Sequence, residues 1–109
     1  MPGFPKRVDM NQRRLTELWR KMGVSVWVTS PLGTGTDVVL GLVDDLGKRI
    51  NLLVEIKDGE KVPSAQKLTE REVKFHTEWK GQVCIINSEE QAMALIYAVR
   101  TGSDFKQVL

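Results

Sequence analysis

The chain has 109 residues, 41% of them hydrophobic and 28% charged, with a formal net charge of +2. That length supports one core and one domain, and the composition excludes a disordered chain. So small a net charge excludes nucleic-acid binding through bulk charge, leaving only a local basic patch.

Residues 1–8 hold two prolines, a glycine and the cations Lys6 and Arg7, and read as an irregular basic arm. They contain no apolar segment of signal-peptide type, and no run in the chain approaches the ~20 apolar residues that span a bilayer. A cytoplasmic protein with a reduced thiol is expected. From Asp9 to Met22, Leu15, Leu18, Trp19 and Met22 recur at helical spacing, with Asp9 as N-cap and Gly23 as stop. Val24 to Thr29 has β-branched residues at alternate positions and predicts a strand. "SPLGTGT" is a loop, Asp37 to Val43 a second strand, and "DDLGK" a turn. "RINLLVEIK", Arg49 to Lys57, is then a third strand hairpinned to the second.

"DGEKVPSAQ" is a further loop. Thr69 and Glu72 have capping-box spacing and start a helix that Gly81 ends, with Val73, His76 and Trp79 or Lys80 on one face. "QVCIIN" predicts a fourth strand in which Cys84, the one cysteine, packs as a small hydrophobe; a disulfide framework or multi-cysteine metal site is thereby excluded. Ser88 and Gln91 repeat the capping-box spacing and open a last helix to Arg100, stopped by Gly102. Its stripe of Ala92, Leu95, Ile96 and Val99 can cover a sheet, and the surplus Met93 and Tyr97 point to a homodimer. Trp19, Trp27 and Trp79 are expected in the core, and His76 is expected to be packed or hydrogen-bonded. The order α-β-β-β-α-β-α predicts an α/β domain over residues 9–109, a mixed sheet flanked by helices plus a C-terminal helix.

The functional signal lies in "NLLVEIKDG", Asn51 to Gly59. Strand side chains alternate, so Glu55 and Lys57 share a face about 6–7 Å apart, beside residues that read as buried. Two charges there are costly unless paired or bound to an ion. Asp37 opens the adjacent strand after a glycine loop. Asp37 and Glu55 at one end of a sheet make an oxygen-rich site suited to Mg²⁺ or Mn²⁺, to which the Ile56 carbonyl can add. Lys57 on the same face suits a phosphate substrate. Alone, E-x-K is commonly an ion pair at a strand end.

"GTGTD" (Gly33 to Asp37), "VEIKDG" (Val54 to Gly59) and "PSAQ" (Pro63 to Gln66), in that order, resemble the motifs of the PD-(D/E)XK nuclease superfamily. Within it the chain is most similar to stand-alone VRR-NUC and Holliday-junction-resolvase-like nucleases of phages and prophages. The resemblance implies a restriction-endonuclease-like α-β-β-β-α-β core and a Mg²⁺- or Mn²⁺-dependent endonuclease for duplex or branched DNA such as a Holliday junction. A binding module of the same fold with weak or lost catalysis is the alternative. Asp37, Glu55, Lys57 and Gln66 would be the catalytic residues, with Asp37, Glu55 and the Ile56 carbonyl as metal ligands. Two positions depart from the pattern. Thr36 replaces a proline, and the first helix lacks a glutamate ligand, for which Asp9 is the nearest candidate, ahead of Asn11, Gln12 and Glu17. On the same reading Lys6, Arg7, Arg13, Arg14, Ser64 and Lys67 would contact the nucleic-acid backbone, joined by Lys61 and Arg71. The expected setting is the cytoplasm of a bacterial or phage-infected cell.

Overall fold

Alternation in the two central strands decides the layering. A computed structural model describes residues 10–59, 61 and 67–105. In it β2 (Val38–Val43) buries Val38, Leu40 and Leu42, and β3 (Arg49–Ile56) buries Leu52, Val54 and Ile56. These residues line one sheet face, and helices α1 (Met10–Lys21) and α3 (Glu89–Thr101) cover it with Leu15, Trp19, Ala92, Leu95 and Ile96. Strands β1 (Ser25–Val28) and β4 (Val83–Ile86) complete a sheet ordered β1-β2-β3-β4. The first two pairings are antiparallel, and β3 runs parallel to β4 across the helix α2 (Glu70–Glu78). The protein is therefore an α/β domain with a mixed sheet flanked by helices and closed by a C-terminal helix.

Local chemistry explains the joints. In the β2–β3 turn the Asp44 side chain accepts the amides of Leu46 and Lys48 at 2.9 and 2.8 Å, holding the hairpin in register. The Thr69–Glu72 capping box is formed in full. At α3, Ser88 accepts the Gln91 amide, but the Gln91 side chain accepts from the Asn87 amide and not from Ser88. Arg100 reaches back to the Met22 carbonyl at 2.7 Å and ties the end of α1 to α3. Trp19, fully buried, donates its indole N–H to the Ala92 carbonyl at 3.2 Å. Trp19→Ala removes a large core side chain and a buried hydrogen bond, and should cost about 3–5 kcal/mol, read as a lower urea midpoint at unchanged slope.

Three expectations are corrected. Helix α2 ends at Glu78, where Trp79 turns extended, and not at Gly81. Gly81 serves a close approach, since a Cβ there would lie 2.8 Å from the Trp79 indole nitrogen. Val73 and Trp79 are exposed, and α2 turns Glu72, Phe75 and His76 toward the body of the protein. Of the tryptophans only Trp19 is in the core. Trp27 alternates with the core-packed Val26 and Val28, so it stands on the opposite sheet face, 64% exposed. The basic arm at 1–8 with Lys6 and Arg7, the Asp9 N-cap, and Ser64 and Gln66 lie outside the described residues.

Candidate active site

The loop between β1 and β2 delivers Asp37. A 3-10 turn, Ser30–Leu32, leads into Gly33 and Gly35, whose φ angles of 76° and 78° fall in the left-handed region that favours glycine. Thr36 is buried and donates its hydroxyl to the Val38 carbonyl, while its own carbonyl accepts the Thr29 hydroxyl. The Asp37 carbonyl then takes the amides of Thr29 and Ser30, and its amide donates to the Val54 carbonyl. These bonds pin the backbone of Asp37. Its carboxylate is aimed by the Ile56 amide, which donates to Oδ2 at 2.7 Å.

Val38 pairs with Val54, so Glu55 stands one step beyond that pair, beside Asp37. Glu55 points away from the helical core layer yet is only 4% exposed, because α2 lies over it. Burial, then the hydrogen bond and charge of Asp37, then the charge of Glu72, push its pKa to about 10. Glu55 is accordingly protonated at neutral pH and hydrogen-bonded to its acidic neighbours.

Lys57 is not the partner of Glu55. Its ammonium lies 2.8 Å from Glu72 Oε1 on α2, with the Lys57 side chain 14% exposed. The same Glu72 oxygen accepts the Thr69 amide, so the capping residue is also a site residue. Burial works to raise the Glu72 pKa, but the Lys57 and Thr69 hydrogen bonds outweigh it and hold the group below the usual carboxylate range. One turn on, His76 sits 3.8 Å from Glu55 through Nε2. Burial lowers its pKa, against the charge of Glu72, so the ring is neutral at pH 7 and the contact is not an ion pair.

The first helix contributes amides. Asn11 donates to the Lys57 carbonyl at 2.7 Å, and Gln12 to the Ser30 hydroxyl at 3.1 Å. Both side chains are buried and act as braces between α1, the end of β3 and the loop before Asp37. Arg14 is bonded to Asn11 and lies 3.9 Å from Glu89, beside a different depression at the start of α3. Arg13 and Lys67 are exposed. Cys84 is buried with its thiol pushed up to about 12 by desolvation, which removes it as a nucleophile.

Asp37 and Glu55 line a cavity of about 570 Å³ between the Gly33–Thr36 loop and α2. Arg71, Lys74 and Phe75 form part of its helical wall, and Arg71 donates to the Gly33 carbonyl at 3.5 Å. Trp79 stacks on Phe75 with ring centres 5.5 Å apart. Sequence reasoning missed Glu72, Lys74 and Phe75 as site residues and read His76 as packed or hydrogen-bonded. The available signal was Glu72 and His76 at i and i+4, which places two ionisable groups on one helical face.

The donor types fit a hard divalent cation: two acidic groups are in contact, and burial with the neighbouring Asp37 and Glu72 holds Glu55 protonated. As described, Glu55 is closed onto Asp37 and Glu72, and among the described residues no group of three or more His, Cys, Asp and Glu is arranged to hold an ion. Compared with protein-family models, curated proteins and solved structures, the chain matches none. Among the described residues no helix is long and apolar enough to cross a membrane.

Proposed function

We propose that the chain is a divalent-metal-dependent endodeoxyribonuclease of the PD-(D/E)XK superfamily. The observation that carries this reading is the Asp37–Glu55 contact at a cavity floor, with Lys57 and Glu72 alongside. That arrangement joins two acids 18 residues apart in sequence and leaves them in need of a cation. Bound Mg²⁺ or Mn²⁺ would supply the charge that lowers the pKa of an attacking water and offsets the negative charge built up on the phosphate. Asp37 and Glu55 hold that ion, assisted by the Ile56 carbonyl. The Ile56 amide keeps Asp37 in place, and Glu72 keeps Lys57 directed toward the reacting phosphate. Arg71 and Lys74 on the cavity wall contact the DNA backbone, joined by Arg13 and Lys67. Branched DNA such as a Holliday junction is the preferred substrate, and a homodimer built on Met93 and Tyr97, both exposed on α3, would present two sites to it. The setting on this reading is a bacterial or phage-infected cytoplasm.

A second reading is a binding module of the same fold with weak catalysis. It is favoured by the engagement of Lys57 with Glu72 and by amides in place of a first-helix carboxylate. Labelled junction, flap and duplex DNA, incubated with Mg²⁺ or Mn²⁺ and then with EDTA, separates the two. Cleavage that EDTA abolishes is the expected outcome, and binding without cleavage on every substrate supports the second reading. Lys57→Met should lower cleavage on the order of 10²–10³-fold while leaving Mn²⁺ affinity near wild type, because lysine acts on the phosphate and not on the ion.

A further inference from the structure

His76 Nε2 is the buried side-chain polar atom that has no hydrogen-bond partner among the described residues. It is not remote from the chemistry. His76 follows Glu72 by one helical turn, so the two project from the same face of α2, and Nε2 lies 3.8 Å from Glu55 Oε1. A hydrogen bond is excluded at that separation. The spacing has another meaning. Two donors each about 2.1 Å from one ion stand roughly 3 Å apart when adjacent and roughly 4 Å apart when opposed. The 3.8 Å between Nε2 and Oε1 lies in that range, so the two atoms are spaced as ligands of one ion can be. Glu55 frees its carboxylate for an ion by turning its terminal torsion, which is broad and soft, away from Glu72. Glu72 itself stays with Lys57 and the Thr69 amide.

We propose that His76 is a nitrogen ligand, through Nε2, of the divalent cation held by Asp37 and Glu55, which makes this a centre for a transition-metal ion in preference to Mg²⁺. The inference rests on the metal-site reading above and specifies its metal. Mg²⁺ takes oxygen donors almost exclusively, whereas imidazole strengthens binding of first-row transition ions. The nitrogen donor thus tilts selectivity toward Mn²⁺ and the ions that follow it in affinity. Phe75, edge-on to the imidazole at 6.2 Å, helps to fix the ring plane.

The test uses the full untagged chain loaded with Mn²⁺ alone. His76 is the one histidine in the sequence, so an imidazole ¹⁴N coupling to Mn²⁺ in pulsed electron paramagnetic resonance can come from no other residue. That coupling is expected, together with a Mn²⁺-over-Mg²⁺ preference in calorimetry that falls at least about tenfold in His76→Gln and His76→Ala, mainly through weaker Mn²⁺ binding. The wild-type spectrum needs no variant to fold. Mn²⁺ bound tightly with no imidazole coupling, or an unchanged preference in both variants, overturns the proposal and leaves Asp37 and Glu55 as an oxygen site. No Mn²⁺ binding at all overturns both this proposal and the metal-site reading beneath it.

Discussion

Replacing Glu55 by glutamine is expected to stabilise the protein above neutral pH and to abolish the metal-dependent cleavage of DNA proposed for it. The two effects have one cause. Glu55 is 4% exposed among Asp37, Glu72 and a neutral His76, and with no cation present only its protonated form is tolerated there. Glutamine keeps the shape, can still donate to Asp37, and never ionises. The same substitution removes a carboxylate that the proposed ion requires, so cleavage should fall on the order of 10³-fold or more and Mn²⁺ affinity should collapse. Chemical denaturation at pH 8.5 and a cleavage assay on the same preparation measure both sides. A variant that is less stable than wild type at pH 8.5 would mean that Glu55 is ionised and favourably paired in the folded chain, against the raised pKa argued for it.

The second expected result is a pH-dependent stability that a divalent cation reverses. The folded Glu55 pKa, about 10, lies above its ordinary value of 4.5. Its stabilising contribution is therefore complete below the unfolded value and is lost as pH rises toward the folded one. Between pH 7.5 and 8 the other shifted groups contribute little. His76 and Glu72 are lowered, so both have finished titrating in folded and unfolded chains, and Cys84 begins only near its unfolded value of 9.0. In that window unfolding free energy should fall by up to about 1.4 kcal/mol per pH unit, one proton's worth. On the proposed reading Mn²⁺ would bind the deprotonated form, so its stabilising effect should grow with pH, reaching about 2.7 kcal/mol at a hundredfold excess over Kd. Glu55→Gln should flatten the pH slope and remove the response to Mn²⁺. Equal slopes in wild type and variant would sink the prediction.

Much of the fold is legible in the residues because its signals are local. Val38, Leu40 and Leu42 alternate with residues that face away, and so do Leu52, Val54 and Ile56, as strand geometry demands. The α3 stripe of Ala92, Leu95 and Ile96 is buried as its spacing predicts, and Thr69 caps α2 as its motif predicts. Where the reading failed, a distant contact decided. Nothing near Gly81 shows that Trp79 turns extended to stack on Phe75, and nothing near Trp27 shows that the helix on its sheet face leaves it uncovered. Helical spacing grouped His76 with Val73 and Trp79, whereas His76 turns inward with Glu72 and Phe75 and the other two stay exposed. An amphipathic pattern with Glu72 on the buried side looks inverted until the sheet beneath it supplies Lys57 as its partner.

The candidate site divides the same way. Asp37 and Glu55 were identifiable from sequence because Asp37 leads into one strand of a hairpin and Glu55 nears the end of the other, which puts both carboxylates at its open end. The ion pair of the E-x-K lysine was not, since Glu72 comes 15 residues later, on a helix whose rotation only the packed fold sets. Sequence by itself determined the succession of helices and strands, the N-caps Thr69 and Ser88 and the meeting of two acids at one sheet end, because each follows from backbone periodicity and hydrogen-bonding chemistry within a few residues. Only the tertiary structure decided that Lys57 pairs with Glu72, that Glu55 is buried enough to hold its proton, and that His76 Nε2 is left facing it. Those outcomes depend on how α2 docks on the sheet, and burial with charge contact has no signature in the order of residues.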